Sequence, residues 1–153
     1  MPDPTPSQTI GPFFGFALPF EGGPDAAAEL RIEGQLLDGA NEPVPDGLIE
    51  VWAGDEFARC RTDIEGAYHV AVSKPAAVPP HAPHLNVTVF ARGLLRHVAT
   101  RVYFPEEAAA NAADPALAEV DAERRPTLIA RRDGDVLHFD IRLQGEGETV
   151  FFG

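Results

Sequence analysis

Leu30-Arg31-Ile32-Glu33-Gly34-Gln35-Leu36 is the stretch whose pattern decides the fold. Leu30, Ile32, Gly34 and Leu36 fall on one face and Arg31, Glu33 and Gln35 on the other, the period-two alternation of a half-buried strand. Asp38-Gly39 then turns the chain. Working outward, a second strand covers residues 48–53, after the turn Pro43-Val44-Pro45-Asp46-Gly47. Thr62-Asp63-Ile64-Glu65-Gly66 leads into a third over 67–72. Residues 85–90 and 98–104 are rich in Val, Thr and aromatics, and 136–143 alternates before Gly145-Glu146-Gly147 and a last apolar stretch at 150–152. The pattern predicts six to eight short strands. One helical interruption lies at 106–120, where alanines cluster around Asp114-Pro115, giving one or two short surface helices. Strands at this spacing predict an all-β, antiparallel β-sandwich.

The composition agrees. Of 153 residues, 14 are Gly and 15 Pro, more punctuation than long helices tolerate, while 44% hydrophobic content is too much for a disordered chain. The length fits a single domain spanning 1–153. Twelve basic against twenty-four acidic residues give a net charge of −12, which repels nucleic acid and anionic membrane surfaces alike. Cys60 is the single cysteine, which excludes an intrachain disulfide, and no run of about 18 apolar residues spans a bilayer. With Arg31 the first basic residue, the start shows no secretory leader, so the expected location is cytoplasmic.

Residues 1–24 hold six prolines among Phe13, Phe14, Phe16 and Phe20. Proline denies this segment a regular helix, and the aromatics want burial. It is expected to be an extended arm lying against its own sandwich or a partner's.

Several constellations bear on chemistry. Ser7 and Ser73 are the only serines and neither sits in a Gly-x-Ser-x-Gly setting. Gly145-Glu146-Gly147-Glu148-Thr149 carries two carboxylates that repel phosphate, so it reads as a turn. Cys60 lies between Arg59 and Arg61, which would lower its pKa, yet no base stands nearby in sequence; a packed thiol is expected. His81-Ala82-Pro83-His84 chelates a metal only if the proline-bent loop curls. In His84-Leu85-Asn86, positions i and i+2 of a strand share a face, but the second donor is an amide, a poor ligand for ferric iron or zinc. A packing or hydrogen-bonding role for His84 is the expectation. Arg92 closes a strand and is either a solvated strand end or a carboxylate clamp.

Three stretches carry a resemblance: Thr5-Pro6-Ser7-Gln8-Thr9-Ile10-Gly11-Pro12-Phe13; Ala82-Pro83-His84-Leu85-Asn86 through Phe90-Ala91-Arg92-Gly93; and Phe139-Asp140-Ile141-Arg142-Leu143-Gln144-Gly145-Glu146-Gly147-Glu148-Thr149-Val150-Phe151-Phe152. They resemble the alpha chains of the protocatechuate 3,4-dioxygenase family, the intradiol ring-cleaving dioxygenases. Leu48-Ile49-Glu50-Val51-Trp52, Arg101-Val102-Tyr103-Phe104 and Arg124-Arg125-Pro126-Thr127-Leu128-Ile129-Ala130 fit as well, so the likeness covers nearly the whole chain.

The resemblance implies a β-sandwich paired with a homologous beta subunit in a hetero-oligomer. That complex cleaves protocatechuate with O2 to 3-carboxy-cis,cis-muconate, in aromatic catabolism through the beta-ketoadipate pathway. In the family, non-haem Fe(III) is held by two Tyr and two His of the beta chain, with a His-x-His on the strand that matches His84-Leu85-Asn86. Here the second position is Asn86, only Tyr68 and Tyr103 supply phenols, and the loop that brings a ligand tyrosine is missing between Trp52 and Arg59. No metal-ligating and no catalytic residue is therefore assigned to this chain. The resemblance assigns it pocket walls at the subunit interface: Thr9, Gly11, Pro12 and Phe13 of the arm, and Arg92. The segment after Trp52 and the loop 75–80 look shorter than in the family, and Phe13 stands where Tyr is common. The rival to an enzyme subunit is a binding or scaffold sandwich; a self-sufficient catechol dioxygenase is disfavoured by Asn86 and the missing tyrosines.

Overall fold

The computed structural model describes Gln8, Thr9, Gly11 and residues 30–153. The alternating stretch forms β1 (Leu30–Leu37), with Leu30, Ile32, Leu36 and Leu37 buried. β2 (Leu48–Ala53), β3 (Glu56–Arg61), β4 (Ala67–Val72), β5 (His84–Phe90) and β6 (Val98–Tyr103) follow. Two short helices, α1 (Ala108–Ala113) and α2 (Pro115–Ala118), break at Asp114, and short strands β7 (Arg131–Asp133), β8 (Val136–His138) and β9 (Ile141–Arg142) complete the described elements.

The strands make two layers. One sheet has the order β4-β1-β8-β7, with β9 also pairing β1; the other has the order β3-β2-β5-β6. Between them lies the core, in which Ile32, Leu36, Ile49, Val70, Leu85, Val89, Leu137 and Ile141 are at most 1% exposed. Each such side chain contributes about 1.5–3 kcal/mol by leaving water. A second apolar cluster forms on the outer side of the second sheet, where Tyr103 and Ala82 meet Leu117, Leu128 and Val150.

The sandwich and the helix break are as expected, and three details differ. Nine strands occur among the described residues, because Glu56–Arg61 and Arg131–Asp133 pair as well. Residues 136–143 do not run as one strand: the chain breaks at Phe139 and Asp140, and residues 150–152 make only an isolated bridge, Ala99 to Phe152. The first sheet is mixed, since β8 and β9 both run parallel to β1. The break has a visible cause. The Phe139 N–H donates to the Glu33 carbonyl at 2.8 Å, while the Phe139 carbonyl accepts the buried Tyr68 hydroxyl at 2.6 Å. Tyr68→Phe leaves that carbonyl unpaired and should cost about 1–2 kcal/mol, read as a lowered urea midpoint at unchanged m-value.

The turns follow the polar residues that marked them. Asp38 accepts the Ala40 and Glu42 amides, and Asp63 accepts those of Glu65 and Ala67. At the helical end, Glu106 bridges Lys74 at 3.0 Å and Arg132 at 2.8 Å. Partial burial opposes its ionisation, but the Arg132 and Lys74 bonds win and hold the Glu106 carboxyl at about 2. A depressed folded pKa gives stability that is complete above the unfolded value, about 4.3, and fades as pH falls toward 2. Glu106→Gln should therefore lower stability at neutral pH, where the contribution is complete, and flatten the acid limb between those values, so that parent and variant converge in acid.

Candidate functional site

Two places on the second sheet hold the residues singled out by sequence. The first is the corner where β5 ends. β2 and β5 pair antiparallel with Leu48 opposite Phe90, so Asp46 and Arg92 are the next pair on the same side beyond the ladder. They meet there: Arg92 Nε lies 3.3 Å from Asp46 Oδ2. The Arg92 side chain is 60% exposed, whereas that of Asp46 is only 14% exposed and its Oδ1 is buried without a hydrogen-bond partner. Gly93, at φ +87°, turns the chain away immediately afterward. Arg92 is thus a fixed strand-end cation with its guanidinium open to an incoming anion.

The second place is the start of β5. Asn86 is exposed and stands level with Trp52 on β2 and Arg101 on β6, all on the outer face. His84 is half-buried, its Nδ1 donates to the Ala82 carbonyl at 2.8 Å, and its ring lies 5.4 Å from that of Tyr103. Burial lowers its pKa, with the Arg101 charge adding to the effect, so the ring is neutral near pH 7. His81 is turned toward Asp114, with Nδ1 3.3 Å from Oδ2.

These groups do not make a metal cage. Among the described residues no three His, Cys, Asp or Glu side chains are grouped to hold an ion. The phenols do not complete one either. Tyr68 donates to Phe139 and burial raises its pKa far above the ordinary value; Tyr103 donates to Asp114 at 3.3 Å, and burial raises its pKa too. A phenolate at either place would sit buried with its proton-accepting neighbour still present, which is unfavourable. β2 and β3 are joined by Gly54 and Asp55 alone, so that connection supplies no further tyrosine or histidine. A ferric ion does not fit the donors among the described residues.

Thr9 and Gly11 are exposed, and among the described residues no atom lies within 4 Å of where a Gly11 Cβ would be. Pro12 and Phe13 lie outside the described residues. No hydrogen bond or ion pair joins Thr9 or Gly11 to Arg92 among the described residues. Cys60 packs against the core, and burial, with Asp63 nearby, pushes its thiol pKa up instead of down, as befits a packed thiol. Gly145–Thr149 is a turn, with positive φ at Gly145 and Gly147. The Arg92–Asp46 pair and the cluster around Asp114 were not foreseen as contacts; the first was legible only once β2 and β5 were known to pair.

The layers match solved dioxygenases. The dioxygenase domain of a dioxygenase carbohydrate-binding protein fusion from Streptomyces sp. SirexAA-E superposes with TM-score 0.58 at 23% identity, covering 94% of this chain and 99% of that one. An intradiol ring-cleavage dioxygenase from Tetranychus urticae gives 0.57 at 15% identity over 90% and 92%. The architecture is that of an intradiol dioxygenase sandwich. No protein-family model matches, but two protocatechuate 3,4-dioxygenase alpha chains, from Burkholderia cepacia and Pseudomonas putida, are each 40% identical over 97% of this chain and 96% and 95% of theirs. The chain belongs to the protocatechuate 3,4-dioxygenase alpha-chain family. A beta chain from Burkholderia cepacia is 28% identical over 78% of this chain and 66% of its own length. The first alignment runs over 189 positions against 153 residues here, so the relative has segments without a counterpart in this chain.

Proposed function

We propose that this chain is the alpha subunit of a protocatechuate 3,4-dioxygenase, completing the substrate pocket of a homologous beta chain that holds the non-haem iron. One observation carries the assignment of roles. Arg92, the open cation, lies at the far end of β5 from His84 and Asn86, and six residues of strand place it roughly 20 Å from Asn86. A carboxylate held by Arg92 is therefore out of reach of this chain's own His84-x-Asn86 pair, and serves a pocket that a neighbour completes.

Within that reading Arg92 binds the substrate carboxylate through its planar fork, and Asp46 holds the guanidinium in place. Thr9 offers a hydroxyl, and the open space at Gly11 admits a close backbone approach. Pro12 and Phe13 extend the same wall, and residues 1–24 are the interface arm of a single-domain chain. The iron supplies the oxidative chemistry of ring cleavage from the beta chain; this chain's residues select, orient and enclose the substrate. No helix among the described residues is long and apolar enough to cross a membrane, and the single cysteine suits a cytoplasmic location. The scaffold alternative has no specific observation in its favour.

The test uses the co-expressed alpha–beta complex. Arg92→Ala should raise KM for protocatechuate about 10- to 100-fold, the weight of a lost charged hydrogen bond of about 1.5–3 kcal/mol, while KM for catechol, which has no carboxylate, stays put. Arg92→Lys should recover part of the loss, since it restores the charge but not the fork. An unchanged KM for protocatechuate removes Arg92 from the pocket. The lone chain should neither take up ferric iron nor turn over catechols.

A further inference from the structure

The first sheet carries a recess of about 250 Å³ that the reading above does not use, lined by Arg131, His138, Asp140, Arg142, Thr127 and Thr149 among others. Its walls come from neighbouring strands. Arg131 faces His138 directly across the β7–β8 pair, and Arg142 lies on β9, with its N–H bonded to Thr149 Oγ1 at 3.0 Å. Thr127 Oγ1 accepts the Val150 N–H at 3.3 Å, joining the last wall to the C-terminal segment.

Arg31, Arg59, Arg92, Arg124 and Arg132 each lie against a carboxylate. Arg131 and Arg142 do not: among the described residues no carboxylate oxygen lies within 4.0 Å of either, and Arg142 Nε donates instead to Asn41 Oδ1 at 3.3 Å. Among the described residues Arg96, Arg101 and Arg125 also have no carboxylate within 4.0 Å, but this recess has two such arginines in one lining. Two guanidinium groups without an ion-pair partner among the described residues line one recess in a chain of net charge −12, and they outnumber its single carboxylate. The one opposing charge in the lining is Asp140, whose Oδ1 is already occupied by the Gln35 N–H at 3.0 Å. His138 adds a third group able to donate.

We propose that this recess binds a small aliphatic polycarboxylate, with Arg131 and Arg142 each taking one carboxylate. The volume falls below the roughly 300–1,000 Å³ of drug-sized sites, so the ligand is small. The two forks come from different strands, with Arg142 four residues along the chain from the His138 that Arg131 faces. Two planar carboxylates on a short carbon chain match that arrangement better than one tetrahedral anion does. The proposal does not depend on the assignment of Arg92.

Titration calorimetry on the alpha–beta complex, with succinate and cis,cis-muconate as probes at constant ionic strength, tests it. The expected result is saturable binding at least about tenfold tighter than acetate, weakened about tenfold or more by Arg131→Gln and by Arg142→Gln, with KM for protocatechuate unchanged in both. Arg131→Lys should weaken binding less than Arg131→Gln does. Dicarboxylate binding that is absent, or equal in both Gln variants and the parent, overturns the site. Inorganic phosphate binding as tightly as succinate, with the same dependence on both arginines, overturns the polycarboxylate assignment.

Discussion

Gly34→Ala should prevent the first sheet from closing, at a cost of about 3–5 kcal/mol, enough to leave the chain largely unfolded at 37 °C. A Cβ at position 34 would lie 1.8 Å from the Phe139 carbonyl oxygen and 2.6 Å from its carbon, with Tyr68 Cε1 at 3.0 Å on the other side. The two nearest are backbone atoms of Phe139, so no rotamer change relieves the clash. The segment between β8 and β9 would have to move off β1, giving up the Phe139-to-Glu33 bond and the Tyr68-to-Phe139 bond together. Gly134→Ala is the comparison, because Gly134 sits at φ +57° with nothing within 4 Å of the added methyl. It should cost only the left-handed penalty of about 1–2 kcal/mol. Urea midpoints of the two variants in the same complex decide the matter: equal losses would mean that position 34 suffers from backbone freedom alone and that the close approach to Phe139 is not real.

Position 34 also shows where sequence pattern stops being informative. Alternation from Leu30 onward placed Gly34 on the inner face, and the buried neighbours Ile32 and Leu36 bear out that parity. Why that inner position must lack a side chain depends on a partner 105 residues away, and no local pattern encodes it. The same holds for the parallel pairing of β1 with β8 and β9, which depends on the path of the chain. β3 was missed for a different reason. Its inward residues Ala58 and Cys60 are small and its outward ones are Phe57, Arg59 and Arg61, so the apolar contrast is weak, although the Arg59–Glu50 bond and the Trp52–Phe57 contact at 4.7 Å pin it to β2.

The candidate site divides along similar lines. The expectation that this chain lacks a full ligand set came from a count of donors, Asn86 at the second position of the His84-x-Asn86 pair and two tyrosines. The structure adds the reason those tyrosines are unsuitable, since both phenols are committed to buried acceptors. Arg92 was legible as a strand-end cation, but its restraint by Asp46 follows only from the β2–β5 register. The paired use of Arg131 and Arg142 was invisible, since eleven positions separate them and both could pass for solvated surface charges.

Asp114→Ala should be as damaging as the change at Gly34, though for electrostatic reasons. The sequence marked Asp114-Pro115 only as a helix break. In the structure Asp114 is fully buried and caps α2, its Oδ1 accepting from the Ala116 amide at 2.8 Å and the Leu117 amide at 3.2 Å, with Pro115 in the first helical position. The same carboxylate reaches back to the sheet, taking the Ala82 amide at 2.8 Å through Oδ2 and the Tyr103 hydroxyl at 3.3 Å. Burial works against its charge, but the Ala82, Leu117 and Ala116 amides, with His81 beside them, hold the carboxyl below its ordinary value. Removing it strands three backbone donors and a phenol in a dry site, at about 1–3 kcal/mol for each group left unpaired; relaxation shares some of this, and a total of about 3–5 kcal/mol is expected. For a domain of this size that is a fall in Tm of about 10–15 °C. Asp114→Asn keeps an acceptor oxygen and should lose roughly half as much. The sign of the pH effect follows from the depressed folded pKa: the contribution is complete above the unfolded value, about 3.9, and is lost as pH falls below it, so parent and Asp114→Asn stabilities should converge in acid. Because α1 and α2 cover the outer cluster around Tyr103, the Ala variant should also expose that face, measurable as faster amide exchange in residues 108–118 ahead of β1 and β4. Uniform exchange across the chain, with no early loss at the helices, would show that Asp114 supports the whole sandwich and not the helical cap.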